Sequence, residues 1–157
     1  MAQVPALAAQ ADFDWAKLTG RSHGVIERYR CDGARTAIVT MGSMCGTARD
    51  AVDDMREAGL AIGLVKVRLF RPLPAAGLRE ALAGFDDVIV LDRNYSPGYG
   101  GVLHQELRSA LYGSKVTPRI HGLLAGVGGV NVSPKKIAEF VAQVGQSEVQ
   151  SESQWVR

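Results

Sequence analysis

Val88-Ile89-Val90-Leu91-Asp92-Arg93-Asn94-Tyr95-Ser96-Pro97-Gly98-Tyr99-Gly100-Gly101 passes from an unbroken apolar stretch into a polar, glycine-rich turn. Val102 to Leu111 follow, with Leu103, Leu107, Ala110 and Leu111 at helical spacing. The order is strand, turn, helix. Open α/β sheets place ligands or partner surfaces at that carboxyl end of a strand.

The flanking segments repeat the alternation. Upstream, Thr36 to Met41 reads as a continuous apolar strand ending at Gly42-Ser43, with Thr47 the N-cap of a helix that ends at Gly59. Ala61 to Phe70 reads as a strand with Val65, Val67 and Leu69 inward against Lys66 and Arg68, stopped by Pro72 and Pro74. Leu78, Leu82 and Phe85 mark a short helix. Downstream, Arg119 to Leu124 is a last strand and Gly126 to Gly129 a second glycine turn. Ser133-Pro134 then opens a helix carrying Ile137, Phe140, Val141 and Val144. Val25 to Cys31 reads as an earlier strand before an Asp32-Gly33 turn. Near-continuous apolar strands alternating with helices predict an α/β fold, its mostly parallel sheet covered on both faces.

The ends read differently. Residues 1 to 20 lack strong periodicity and resemble a linker or arm, with Trp15 and Leu18 as docking points; residues 21–145 form the domain. Residues 146–157 are polar and low in complexity, which predicts a disordered tail.

Bulk properties narrow the function classes. The 157 residues carry 18 basic and 16 acidic side chains, a net charge of +2, with no basic stripe and only 6% aromatics. A nucleic-acid surface is therefore not expected. No apolar run approaches the roughly 18 residues of a membrane span. The first residues lack a basic leader, and two cysteines, Cys31 and Cys45, make no disulfide framework or metal motif, so the cytoplasm is expected.

Candidate chemistry gathers where the loops should meet. Glycine turns let backbone N–H groups approach an anion, and an arginine just past a strand can grip a carboxylate or phosphate. Ser43, Arg71, Asp92, Arg93, Ser96, Gly98, Gly100 and Gly101 are thus the candidate ligand or partner contacts. Arg71 also suits a structural role, and Arg93 suits either an anion or its neighbour Asp92. Asp92 could serve as a base, yet no nucleophile is paired with it; Pro97 after Ser96 rules out a nucleophile elbow. His23, His104 and His121 are scattered without metal-ligand spacing. Cys45 near a helix start could have a lowered thiol pKa or be a small buried turn residue. No catalytic residue and no metal ligand is assigned.

Taken together, these segments resemble the carboxyl-terminal domain of the alpha subunit of pyruvate:ferredoxin oxidoreductase and its 2-oxoacid relatives. The likeness is carried by Gly20 to Val25, Glu27 to Arg30, Val39 to Ser43, Gly59 to Gly63, Phe70 to Pro74, and Leu91 through Gly101 to Glu106. It spans about residues 20 to 145. It implies a transketolase-type carboxyl-terminal domain: a three-layer α/β/α sandwich with a five-stranded mixed sheet, Val25 to Cys31 being the antiparallel strand. It further implies an assembly that oxidatively decarboxylates a 2-oxoacid on thiamine diphosphate with magnesium, passes electrons through iron–sulfur clusters to ferredoxin or a similar acceptor, and forms an acyl-coenzyme A.

Only part of that assembly is expected in these residues. The family's diphosphate–magnesium motif opens with a glycine–aspartate–glycine triplet, absent here, and two cysteines are too few for a cluster. The cofactor-facing domain of an alpha subunit would precede residue 1, in an excised domain or a split subunit. Gly128-Gly129-Val130-Asn131 departs from a family turn that carries an arginine–aspartate pair after its glycines, leaving branched-chain, aryl and other 2-oxoacids open beside pyruvate. The expectation is a scaffold domain, inactive alone and binding no cofactor alone, whose partners are the rest of the alpha subunit and the other subunits. A free-standing module for an anion or nucleotide is the alternative. A transketolase-like enzyme's own terminal domain fits Phe70 to Pro74 and Asp92 to Gly101 less well.

Overall fold

A computed structural model describes residues 1–114, 118–144 and 147–156. Six strands form one sheet in the order β1 (Ile26–Tyr29), β3 (Ile62–Val67), β2 (Thr36–Met41), β4 (Asp87–Asp92), β7 (Arg119–Leu124), β8 (Gln154–Trp155). All neighbours are parallel except β1, which runs antiparallel to β3.

Helices cover both faces, and the strands divide their side chains accordingly. Val88 and Val90 of β4 point into one core with Leu78 and Leu82 of α3 (Ala75–Leu82) and Leu103 and Leu107 of α4 (Val102–Leu111). Ile89 and Leu91 point into the other, with Val52 of α2 (Met44–Glu57) and Phe140 of α5 (Pro134–Val144). Residues that alternate between two apolar layers must all be apolar, which is why β4 reads as an unbroken run. Each fully buried leucine or isoleucine contributes about 1.5–3 kcal/mol. This is the three-layer α/β sandwich expected from the sequence.

Four details differ. The strand expected at Val25–Cys31 is shorter, and after the Asp32-Gly33 turn the chain passes on to β2 while β1 itself pairs with β3. The chain crosses β3 at Gly63, where a Cβ would fall 2.9 Å from the Cys31 Cα. Only the missing side chain lets the crossing pass so close.

The second is the arm: Val4–Thr19 is a helix, α1, with a proline in its first turn and Gly20 in the left-handed region donating its N–H to the Ala16 carbonyl. None of its residues is buried, so it shows no core-facing periodicity; its alanines supply the helix propensity instead. The third is α2, which starts at Met44, directly after Ser43, and so earlier than Thr47.

The last is the tail. Residues 147–156 carry β8, which pairs with Leu123 and Leu124 of β7, so the sheet has a sixth strand where disorder was expected. Polar composition hid this, because the pairing uses main-chain groups on the open edge of β7. Gly145, Gln146 and Arg157, also expected to lie at the domain's end or in the tail, fall outside the described residues.

Candidate functional site

The turn after β4 separates two neighbouring side chains into different tasks. Asp92 points inward and is only 3% exposed. Its Oδ2 accepts the N–H of Leu103 at 2.6 Å and of His104 at 3.3 Å, and its Oδ1 accepts the N–H of Asn94 at 2.9 Å. Asp92 thereby caps α4 and fixes the turn. Burial pushes its carboxyl above the usual range, against the three N–H bonds that favour the charged form. A fully engaged carboxylate is not placed to act as a base.

Arg93 points outward to the carboxyl edge. Its Nη1 donates to Ser43 Oγ at 3.2 Å and its Nη2 to the Gly126 carbonyl at 3.3 Å. One guanidinium therefore ties together the loops after β2, β4 and β7. It faces a cavity of about 300 Å³ whose wall includes Ser43, Thr47, Arg93 and Asn131. Two expected contacts, Ser43 and Arg93, are thus brought into one place.

The others sit elsewhere. Tyr95–Ser96 and Gly100–Gly101 form a small antiparallel hairpin, β5 and β6. Gly98, Gly100, Tyr95 and Tyr99 line a 190 Å³ cleft with the tail residues Glu152, Ser153 and Trp155. The Tyr95 ring packs at a tilt against Trp155, with ring centroids 4.9 Å apart. Gly101 donates its N–H to Ser153 Oγ at 3.0 Å. Arg71 lies apart, paired with Glu106 at 2.8 Å and stacked on Phe70, which is the structural role its sequence position also allowed.

Sequence reasoning missed two side-chain clusters. His104, fully buried, holds its Nδ1 2.8 Å from Ser153 Oγ, linking α4 to the tail. Burial, helped by the charges of Arg108 and His121, lowers its pKa to about 4. Lys66 is buried, not solvent-facing, and pairs with Glu27 at 2.7 Å; Arg68 pairs with the other Glu27 oxygen. Burial opposes the charge on Glu27, but hydrogen bonds from Arg68 and Lys66 outweigh it and hold its pKa below the usual value. A lysine inside an apolar strand was the available signal.

Of the two readings of Cys45, the structure sets aside the lowered thiol pKa. Burial raises its thiol pKa, outweighing the nearby Lys66 and Arg68, so the start of α2 does not activate it. Among the described residues, no three His, Cys, Asp or Glu side chains come together to hold a metal ion. No helix among them is long and apolar enough to cross a membrane.

Residues 34–137 match the family model of pyruvate:ferredoxin oxidoreductase core domain II. The chain belongs to that family. It is 36% identical over 135 residues to the pyruvate synthase subunit PorA of Methanothermobacter thermautotrophicus, a match covering 86% of this chain and 34% of that protein. It is 46% identical over 101 residues to the alpha subunit of NADH-dependent phenylglyoxylate dehydrogenase of Aromatoleum evansii, covering 63% and 24%. The chain therefore spans about a third or less of these relatives. A solved 2-oxoglutarate:ferredoxin oxidoreductase from Magnetococcus marinus matches with a TM-score of 0.62 over 82% of this chain and 20% of that one. At 24% identity that likeness speaks to the fold.

Proposed function

We propose that this chain is a scaffold domain of a 2-oxoacid oxidoreductase, docking against the remainder of the alpha subunit and thereby steadying the cofactor-binding parts. In the whole assembly, thiamine diphosphate with magnesium would serve decarboxylation, iron–sulfur clusters would carry electrons, and coenzyme A would take the acyl group. The described residues do not fit these groups: Cys31 lies in the core, Cys45 is a single partly buried thiol, and no acidic cluster suits a diphosphate-bound metal. No reaction step is assigned to this chain. The substrate is a 2-oxoacid, because its relatives are named for pyruvate, ketoisovalerate and phenylglyoxylate. The acceptor is ferredoxin or a similar carrier, working through the complex in the cytoplasm.

The observation that carries this reading is α1. Leu7, Phe13, Trp15 and Leu18 stand exposed on a helix none of whose residues is fully buried, and Leu7, Ala11, Trp15 and Leu18 fall along one face. A 16-residue helix gains little from propensity alone and takes most of its stability from packing an apolar face. An exposed tryptophan and two leucines in one stripe mark a contact surface. The relatives' additional length supplies the partner.

Hydrogen exchange tests it. In an assembled oxidoreductase containing this chain, the α1 amides should exchange much more slowly than in the isolated chain. Equal exchange in both states would contradict the docking role.

A further inference from the structure

We propose that the carboxyl-edge cavity faced by Arg93 is a binding site for a phosphate group. Arg93 is set apart by facing this cavity without an ion pair. Ion pairs among the described residues engage Arg30, Arg35, Arg68, Arg71 and Arg119, but none engages Arg93. Its two hydrogen bonds go to neutral acceptors, the Ser43 hydroxyl and the Gly126 carbonyl. A guanidinium presents more N–H groups than these two bonds use, in a planar fork suited to an oxyanion.

The adjacent carboxylate does not neutralise it. Asp92 is turned inward and spends both oxygens on the N–H groups of Asn94, Leu103 and His104. The positive charge is thus left facing the cavity.

The cavity suits the ligand in composition and size. Its wall holds the hydroxyls of Ser43 and Thr47 and the Asn131 amide beside the guanidinium, with no Asp or Glu. Hydroxyl and amide donors spread around a guanidinium fit the several oxygens of a phosphate better than the two of a carboxylate. About 300 Å³ admits a phosphate or the phosphorylated end of a larger molecule. Gly126 gives the guanidinium its room, since a Cβ there would lie 3.1 Å from Nε.

The site is independent of whether α1 docks a partner. Titration of the full chain with inorganic phosphate, phenyl phosphate and acetate, followed by amide NMR shifts, tests it. Phosphate should move the amides of Ser43, Thr47, Arg93 and Asn131 in a saturable way, and acetate should bind more weakly. Phenyl phosphate binding at least as well as phosphate would indicate the end of an organic ligand; preference for inorganic phosphate would indicate a free ion. Arg93→Gln should weaken binding roughly tenfold or more, and Arg71→Gln should not. Asn131→Asp keeps the Arg93 tether yet adds a negative charge to the wall, and should also weaken binding roughly tenfold or more. No saturable shift at these amides, or unchanged binding in both cavity variants, would overturn the proposal.

Discussion

The backbone of Gly122 in β7 passes beneath the imidazole of His104 in α4, so close that a Cβ at 122 would lie 2.2 Å from Nδ1. The pair locks α4 onto the sheet and aims Nδ1 at Ser153. Gly122→Ala should therefore destabilise the chain by about 1–3 kcal/mol or more, because the ring has no free space to enter. Urea unfolding measures the loss; a stability equal to the parent's would mean the ring moves freely.

His104 also predicts a pH dependence. Its pKa is lowered from 6.5 to about 4 in the folded chain. As pH falls through 6.5, the unfolded chain gains a proton that the folded chain refuses until about 4. Stability should drop across that window by up to about 3 kcal/mol from this group. Asp92, with its raised pKa, has the opposite sign and acts near and above 3.8. Unfolding free energies from pH 7 to 4 should slope downward in the parent and less so in His104→Gln.

Asp92 caps α4 from the neighbouring strand. In Asp92→Asn the new amide group must face one of the three N–H donors it now accepts. The variant should lose about 1–3 kcal/mol, with faster amide exchange at Leu103 and His104. Unchanged exchange at both would show that the cap does not hold this helix.

Glu27 neutralises Lys66 inside the sheet and Arg68 at its edge. Glu27→Gln leaves a buried ammonium with a weaker partner and should cost roughly 1–3 kcal/mol. Replacing Lys66 by Met in the same variant should restore much of it, since apolar packing suits the site. A double-mutant cycle gives the coupling.

The strand at 119–124 and the helices at 102–111 and 134–144 were legible because burial on one face or two imposes a period on the sequence. Arg93 and Ser43 were legible as candidates, since Arg93 directly follows a strand and Ser43 sits in the glycine turn just past another. What was hidden depends on distant pairing. The crossing at Gly63, the His104–Ser153 bond and the β8 edge strand join residues dozens of positions apart, and none leaves a local period. α1 was unreadable for a related reason: none of its residues is buried and polar bonds tie its Asp12 to Ser22 and His23, so no apolar core-facing stripe marks it.

Turnover tests the central claim most directly. The isolated chain, supplied with thiamine diphosphate, magnesium, coenzyme A, a viologen dye and pyruvate, ketoisovalerate or phenylglyoxylate, should reduce no dye above the rate without protein. Dye reduction that depends on both the 2-oxoacid and this chain alone would contradict a scaffold role.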